Sequence, residues 1–171
     1  MKNLISWKGN KWVLYIVATI CVILWMGKEV AYSKGKDQRA ARVKELIKVG
    51  EDLKDAITSQ DIKRILHYIS PQGMYCADTP IKFEEVENDL KDTKSELYAN
   101  LFSHGGLKGY FQKTMDQKIR VDFMVVKDKE DINWACLRYM SSNYDEANWP
   151  EICLYYSNGK WAITDSLYKC V

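Results

Sequence analysis

Residues 154–170 read LYYSNGKWAITDSLYKC, two alternating runs joined by Asn158-Gly159. Asn-Gly suits a two-residue hairpin turn because both central positions of that turn need positive φ. With Ser157 and Lys160 flanking the turn, Tyr156 faces Trp161, Leu154 faces Ile163 and Ile152 faces Asp165. Successive side chains of a strand point to opposite faces, so these pairs share one aromatic and aliphatic face, the core side.

The register extends outward to the preceding strand, Trp134 to Met140. One alignment sets Cys136 opposite Cys153, Arg138 opposite Glu151 and Trp134 opposite Tyr155. Opposed charges and paired aromatics are the cross-strand contacts that stabilise a sheet. This alignment also brings two thiols within reach of a bridge. Further upstream, Ile119, Val121, Phe123 and Val125 alternate with Arg120, Asp122 and Met124, which predicts a strand from Lys118. Lys127 to Asp131 reads as its charged turn, and the last strand is expected over Lys160 to Tyr168.

Before residue 118 the apolar spacing is helical. Val43, Leu46, Ile47, Gly50, Leu53 and Ile57 draw one stripe behind a capping Asp37. A second helix is expected from a capping Ser59, with Ile62, Ile65, Leu66 and Ile69 inward, until Pro71 and Gly73 stop it. A short extended piece follows at Met74–Ala77. Thr79-Pro80 then reads as the start of a third helix carrying Phe83, Val86, Leu90, Leu97 and Leu101. Its polar middle, Asp92 to Ser95, is a place to kink or divide, and His104-Gly105-Gly106 reads as its end. The expected architecture is therefore α+β. Three N-terminal helices pack on a curved antiparallel sheet of about four strands, preceded by one membrane helix.

That membrane helix is Trp12 to Gly27, WVLYIVATICVILWMG, an uncharged run fenced by Lys11 and Lys28. Trp12 and Trp25 stand near its ends, where amphipathic rings favour the membrane interface. A cleaved signal peptide is the alternative, but the residues after Gly27 offer only Ala31-Tyr32-Ser33 as a small-x-small site. The implied organisation is a basic tail at 1–11, an anchor or signal at 12–27, a linker at 28–36 and one domain at 37–171. Lysines and arginines on both sides of the segment leave its orientation open under the positive-inside rule. The cysteines favour a domain on the periplasmic or extracytoplasmic side, or a secreted one if the segment is cleaved.

The chain has 171 residues and a formal charge of +2, but that charge is unevenly placed. Residues 1–36 carry six Lys against one Glu, whereas 37–171 carry 19 Lys and Arg against 22 Asp and Glu. The folded part is thus slightly acidic, which argues against nucleic acid as a partner. Cys76, Cys136, Cys153 and Cys170 lie outside the apolar run and allow two disulfides in three connectivities. Their spacing matches no zinc motif, and no calcium loop, HExxH or phosphate loop occurs, so neither metal nor cofactor is expected.

The paired helices at 37–69, the strand near Met74, the helix near 80–102 and the closing LYYSNGKWAITDSLYKC meander resemble the nuclear transport factor 2-like (cone) superfamily. The whole chain is also similar in layout to bitopic bacterial envelope proteins, among them assembly factors of type IV secretion channels. That resemblance implies a membrane-tethered interaction or assembly module, partnered by a second copy or another envelope protein. The alternative it implies is a small exported ligand-binding or enzymatic cone that uses the sheet interior.

Side-chain chemistry separates these readings. Asp165 falls on the inward face beyond Ile163, where a carboxylate could serve as a base in a cup, or sit at a solvated end or beside Arg or Lys. Trp134, Tyr155 and Tyr168 share the other face with Cys136, Cys153 and Cys170, an aromatic surface suited to an interface. His67 and His104 are the only histidines, and His104 at a helix end has a structural role available beside the helix dipole. Glu84, Glu85, Glu87, Asp89 and Asp92 mostly fall away from the apolar stripe and read as a solvated helix face.

Overall fold

The computed structural model of the chain describes residues 11–76, 79–114, 116–127, 129–164 and 167; of residues 11–18, 21–35 and 129 it describes the backbone alone. The chain divides into two compact units, Met1–Ala41 and Arg42–Val171. The first is helical from Lys11 onward, as the beginning of helix α1 (Lys11–Ser59). Helix runs through 28–36, the stretch expected as a linker. The reason is compositional: lysine, arginine, glutamine and alanine are good helix formers, and a single interior glycine costs only about 1 kcal/mol. Among the described residues no helix is long and apolar enough to cross a membrane. Of Trp12–Gly27 only Thr19 and Ile20 have described side chains, so the expected anchor lies almost wholly outside them.

The second unit is α+β, with a four-stranded antiparallel sheet in the order β3 (Lys118–Val126), β4 (Lys129–Met140), β5 (Glu151–Ser157), β6 (Lys160–Ile163). Asn158 and Gly159 have φ of 51° and 82°, which is the turn that the dipeptide demands. The pairs it sets are Tyr156 with Trp161 and Leu154 with Ile163. Trp134 pairs with Tyr155, Cys136 with Cys153 and Arg138 with Glu151, the register expected from charge and aromaticity. The pairing of Ile152 with Asp165 concerns a residue outside those described.

Helices cover one face of this sheet. Leu46, Leu53 and Ile57 of α1 share a buried core with Phe123, Leu137, Tyr139, Ile152, Leu154 and Ile163. Gly50 is the point of closest approach, since a Cβ there would stand 2.8 Å from Ile119 Cδ1 and 3.2 Å from Leu137 Cδ1. Beside it the buried Tyr139 hydroxyl donates to the Gly50 carbonyl at 3.0 Å.

The smaller elements depart from expectation. Ser59 does not cap the next helix; its hydroxyl donates back to the Asp55 carbonyl at 2.7 Å. Gln60 turns to positive φ to close α1. Asp61 instead caps α2 (Ile62–His67), accepting from the Arg64 amide at 3.1 Å. Thr79-Pro80 begins no helix. It lies in β2 (Thr79–Ile81), which pairs antiparallel with β1 (Met74–Cys76), where Met74 is buried in the core. The helix starts later as α3 (Phe83–Lys91), with the Glu85 carboxylate accepting from the Lys82 amide at 3.2 Å.

The polar middle does divide the expected third helix. Ser95 caps α4 (Glu96–Phe102) by accepting from the Tyr98 amide at 3.0 Å. Beyond His104-Gly105-Gly106 a further short helix, α5 (Leu107–Lys113), was not expected from the sequence. It folds back so tightly that a Cβ on Gly109 would lie 1.9 Å from the His104 carbonyl oxygen. The last strand ends at Ile163 rather than Tyr168, and Tyr168 itself lies outside the described residues.

The Gly50 contact makes two expectations measurable by urea unfolding. Tyr139→Phe removes one buried hydrogen bond and should cost about 1 kcal/mol. Gly50→Val must displace Ile119 and Leu137 and should cost about 1–3 kcal/mol, despite removing a helix glycine.

Candidate functional site

The sheet face away from the helices is built by the alternate residues of β3, β4 and β5. Arg120 stands directly opposite Arg138, a like-charge pair that would repel if left alone. Three carboxylates resolve it. Arg120 contacts Asp122 and Glu146, each at 3.0 Å, and Arg138 contacts Glu151 at 2.5 Å and Asp122 at 3.4 Å. The Arg120 guanidinium also lies over the Trp149 ring at 5.9 Å. These side chains are 36–60% exposed, so each pair adds at most about 1 kcal/mol. The network fixes a charge pattern on the surface more than it stabilises the fold.

Next to these charges Cys136 and Cys153 form a disulfide with their Cα atoms 4.0 Å apart. Both are nearly buried although they sit on the outward face. Their sulfurs and the Glu151 carboxylate lie within 4.8 Å of one another, a spacing a metal ion would accept. Sulfurs bonded to each other offer no thiolate, however, so the oxidised pair is not a metal centre. Cys76 is also disulfide-bonded. Cys170 lies outside the described residues.

Beyond the bridge the face becomes aromatic and apolar. The pairing of β3 with β4 shifts after Phe123, so that Met124 faces Asp131 and residues 132–134 have no β3 partner. Ile132 turns toward the core and Trp134 stays beside Tyr155. The Trp134 indole N–H is buried without a hydrogen-bond partner among the described residues. Tyr155 is 42% exposed, and Met124, Val125 and Val126 are exposed on the neighbouring hairpin end. Trp134 and Tyr155 are thus together with the bridge, whereas Tyr168 and Asp165 lie outside the described residues.

A second feature was invisible in the sequence. A cleft of about 770 Å³ opens between α4, α5 and the connection from β4 to β5. Asn100, His104 and Lys113 line one side, and Tyr144, Asn148 and Glu151 line the other. The connecting loop is tied down by polar contacts. Asp116 accepts from the Ser141 hydroxyl at 2.9 Å and from the Ser142 amide at 3.2 Å, and also from the Ser142 hydroxyl. The Trp149 indole N–H donates to the Ser141 and Tyr144 carbonyls at 3.2 and 3.0 Å. Ser142 and Ser141 together hold the Asp116 carboxyl down at about 2, the hydroxyl of Ser142 contributing most. The signal was present in Ser141-Ser142 and Asp116, but only tertiary contact joins residues 26 apart.

His104 reaches this cleft, while His67 is exposed on α2, its ring edge-on to Tyr68 at 5.4 Å. The acidic residues of α3 remain a helix surface, with Glu87 paired to Lys91 at 2.6 Å. No family model, curated protein or solved structure matches this chain.

Two outcomes follow from this geometry. Replacing Cys136 and Cys153 together by Ala opens a loop with a sequence separation of 17 and should lower unfolding free energy by roughly 3 kcal/mol in denaturant titration. Asp116 has a lower pKa folded than unfolded, so its bonds stabilise the loop above about pH 4 and are lost as pH falls through about 2. The Ser142 amide should lose exchange protection over that range, and Asp116→Asn should lose it already at neutral pH.

Proposed function

We propose that this protein is a membrane-tethered interaction or assembly module whose outward sheet face receives a protein partner. The reading takes Trp12–Gly27 as the tether and the unit from Arg42 onward as the recognition domain. The observation that carries it is the asymmetry of the sheet. On the inner face Leu137, Tyr139, Ile152 and Leu154 are fully buried against helix side chains. On the outer face a two-arginine, three-carboxylate network borders Trp134, Tyr155 and Met124. Aromatic residues and arginine are the side chains enriched where proteins meet. A charge pattern at the rim supplies orientation and partner choice.

The filled inner face also weighs against a catalytic cup, because a substrate there would have to displace fully buried apolar side chains. The order of helices followed by an antiparallel meander supports a cone-like fold of the nuclear transport factor 2 kind. The Cys136–Cys153 bridge supports an extracytoplasmic location, since disulfides persist in oxidising compartments.

Photo-crosslinking tests the proposal in cells expressing the full chain. A benzoylphenylalanine at Tyr155 should yield a discrete adduct, which Trp134→Ala abolishes. The same probe at Glu84, exposed on α3, should yield none. An adduct at twice the chain's mass identifies a second copy as the partner. Equal labelling from both positions, or none from Tyr155, would sink the proposal.

A further inference from the structure

The cleft beside α4 and α5 shares Glu151 with the charged network of the outward face and is otherwise lined by other residues. The 141–149 connection carries one fully engaged carboxylate contact set and one indole clamp, yet residues 142–148 are exposed. Such anchoring holds the Tyr144 ring at the cleft mouth, 36% exposed and 5.0 Å from the Tyr110 ring. Tyr110 is itself locked, its hydroxyl donating to the Tyr139 carbonyl at 2.6 Å. Loops fixed by a rigid scaffold are where binding groups concentrate.

The polar groups of the cleft are unequally committed. Glu151 is paired with Arg138 at 2.5 Å. Lys113 and His104, both lining the cleft and both exposed, have no hydrogen-bond or ion-pair partner among the described residues. The Lys113 ammonium brings a positive charge that no described lining residue pairs with, and the His104 imidazole can donate a hydrogen bond beside it. Leu101, Leu107, Pro150 and Leu167 supply apolar wall, and the volume is that of a small-molecule site. We propose that this cleft binds a small carboxylate with a flat apolar body, the carboxylate between Lys113 and His104 and the body beside Tyr144. The two tyrosines favour a planar ring, which packs against aromatic faces in offset or edge-on geometry.

Phenylacetate and its neutral isostere phenylacetamide, titrated into the full chain and followed by ligand-observed NMR, test this. Phenylacetate should saturate with a Kd of about 1 mM or tighter, as expected for a ligand of this size. Phenylacetamide should bind at least about ten-fold more weakly, because it lacks the charge. Lys113→Gln and His104→Gln should each weaken phenylacetate about five-fold, while Lys63→Gln on α2 leaves it unchanged. If Lys113→Gln fails to fold by thermal melting, His104→Gln decides, since that side chain is exposed and makes no hydrogen bond or ion pair among the described residues. Equal affinity for acid and amide would overturn the assignment. So would unchanged affinity in the folded histidine variant, or no saturation below about 20 mM.

Discussion

The meeting of α1 with the sheet at Gly50 is the constraint on which the second unit depends. A glycine lets the helix backbone come down onto Ile119 and Leu137, and the Tyr139 hydroxyl then reaches the Gly50 carbonyl at 3.0 Å. That single approach sets which face of the sheet is buried. Side chains alternate along each strand, so the same approach sends Arg120, Asp122, Cys136, Arg138, Glu151 and Cys153 outward. The charged network and the disulfide are therefore consequences of the helix contact, not independent features. Shifting any one strand by a residue would move its charges into the core.

The parts of this fold that were legible in the sequence are those fixed by short-range rules. Asn158-Gly159 dictates its turn, the turn dictates Tyr156 against Trp161, and charge pairing extends the register to Arg138 and Glu151. The parts that were not legible depend on distant partners. Thr79-Pro80 carries a good helix-start signature, but pairing with Tyr75 and Cys76 overrides it. The helix α5 is only seven residues long with a glycine inside, too short for its periodicity to be read. The cleft needs Asp116 to find Ser141 and Ser142 across the fold, and no local pattern announces that.

The outward face and the cleft use polar residues in opposite ways. On the face both arginines are answered by three carboxylates, so the surface presents a patterned field with one negative charge in excess. Among the described residues that line the cleft, the one carboxylate, Glu151, belongs to that same pattern, and the Lys113 and His104 side chains are left over. Glu151 thereby joins the two regions. Any rearrangement of the face that released Glu151 from Arg138 would therefore be felt in the cleft that Glu151 lines.

The disulfide has a topological consequence for the loop that walls the cleft. It ties Cys136 to Cys153, and the whole 141–149 connection lies between those two positions. A protease cutting that exposed loop would leave both pieces covalently joined, with the strands on either side still paired. The cleft wall can thus be broken, or lengthened by insertion, without the sheet coming apart. In this protein an exposed segment of the cleft wall is thus also one whose rupture leaves the chain joined through the disulfide.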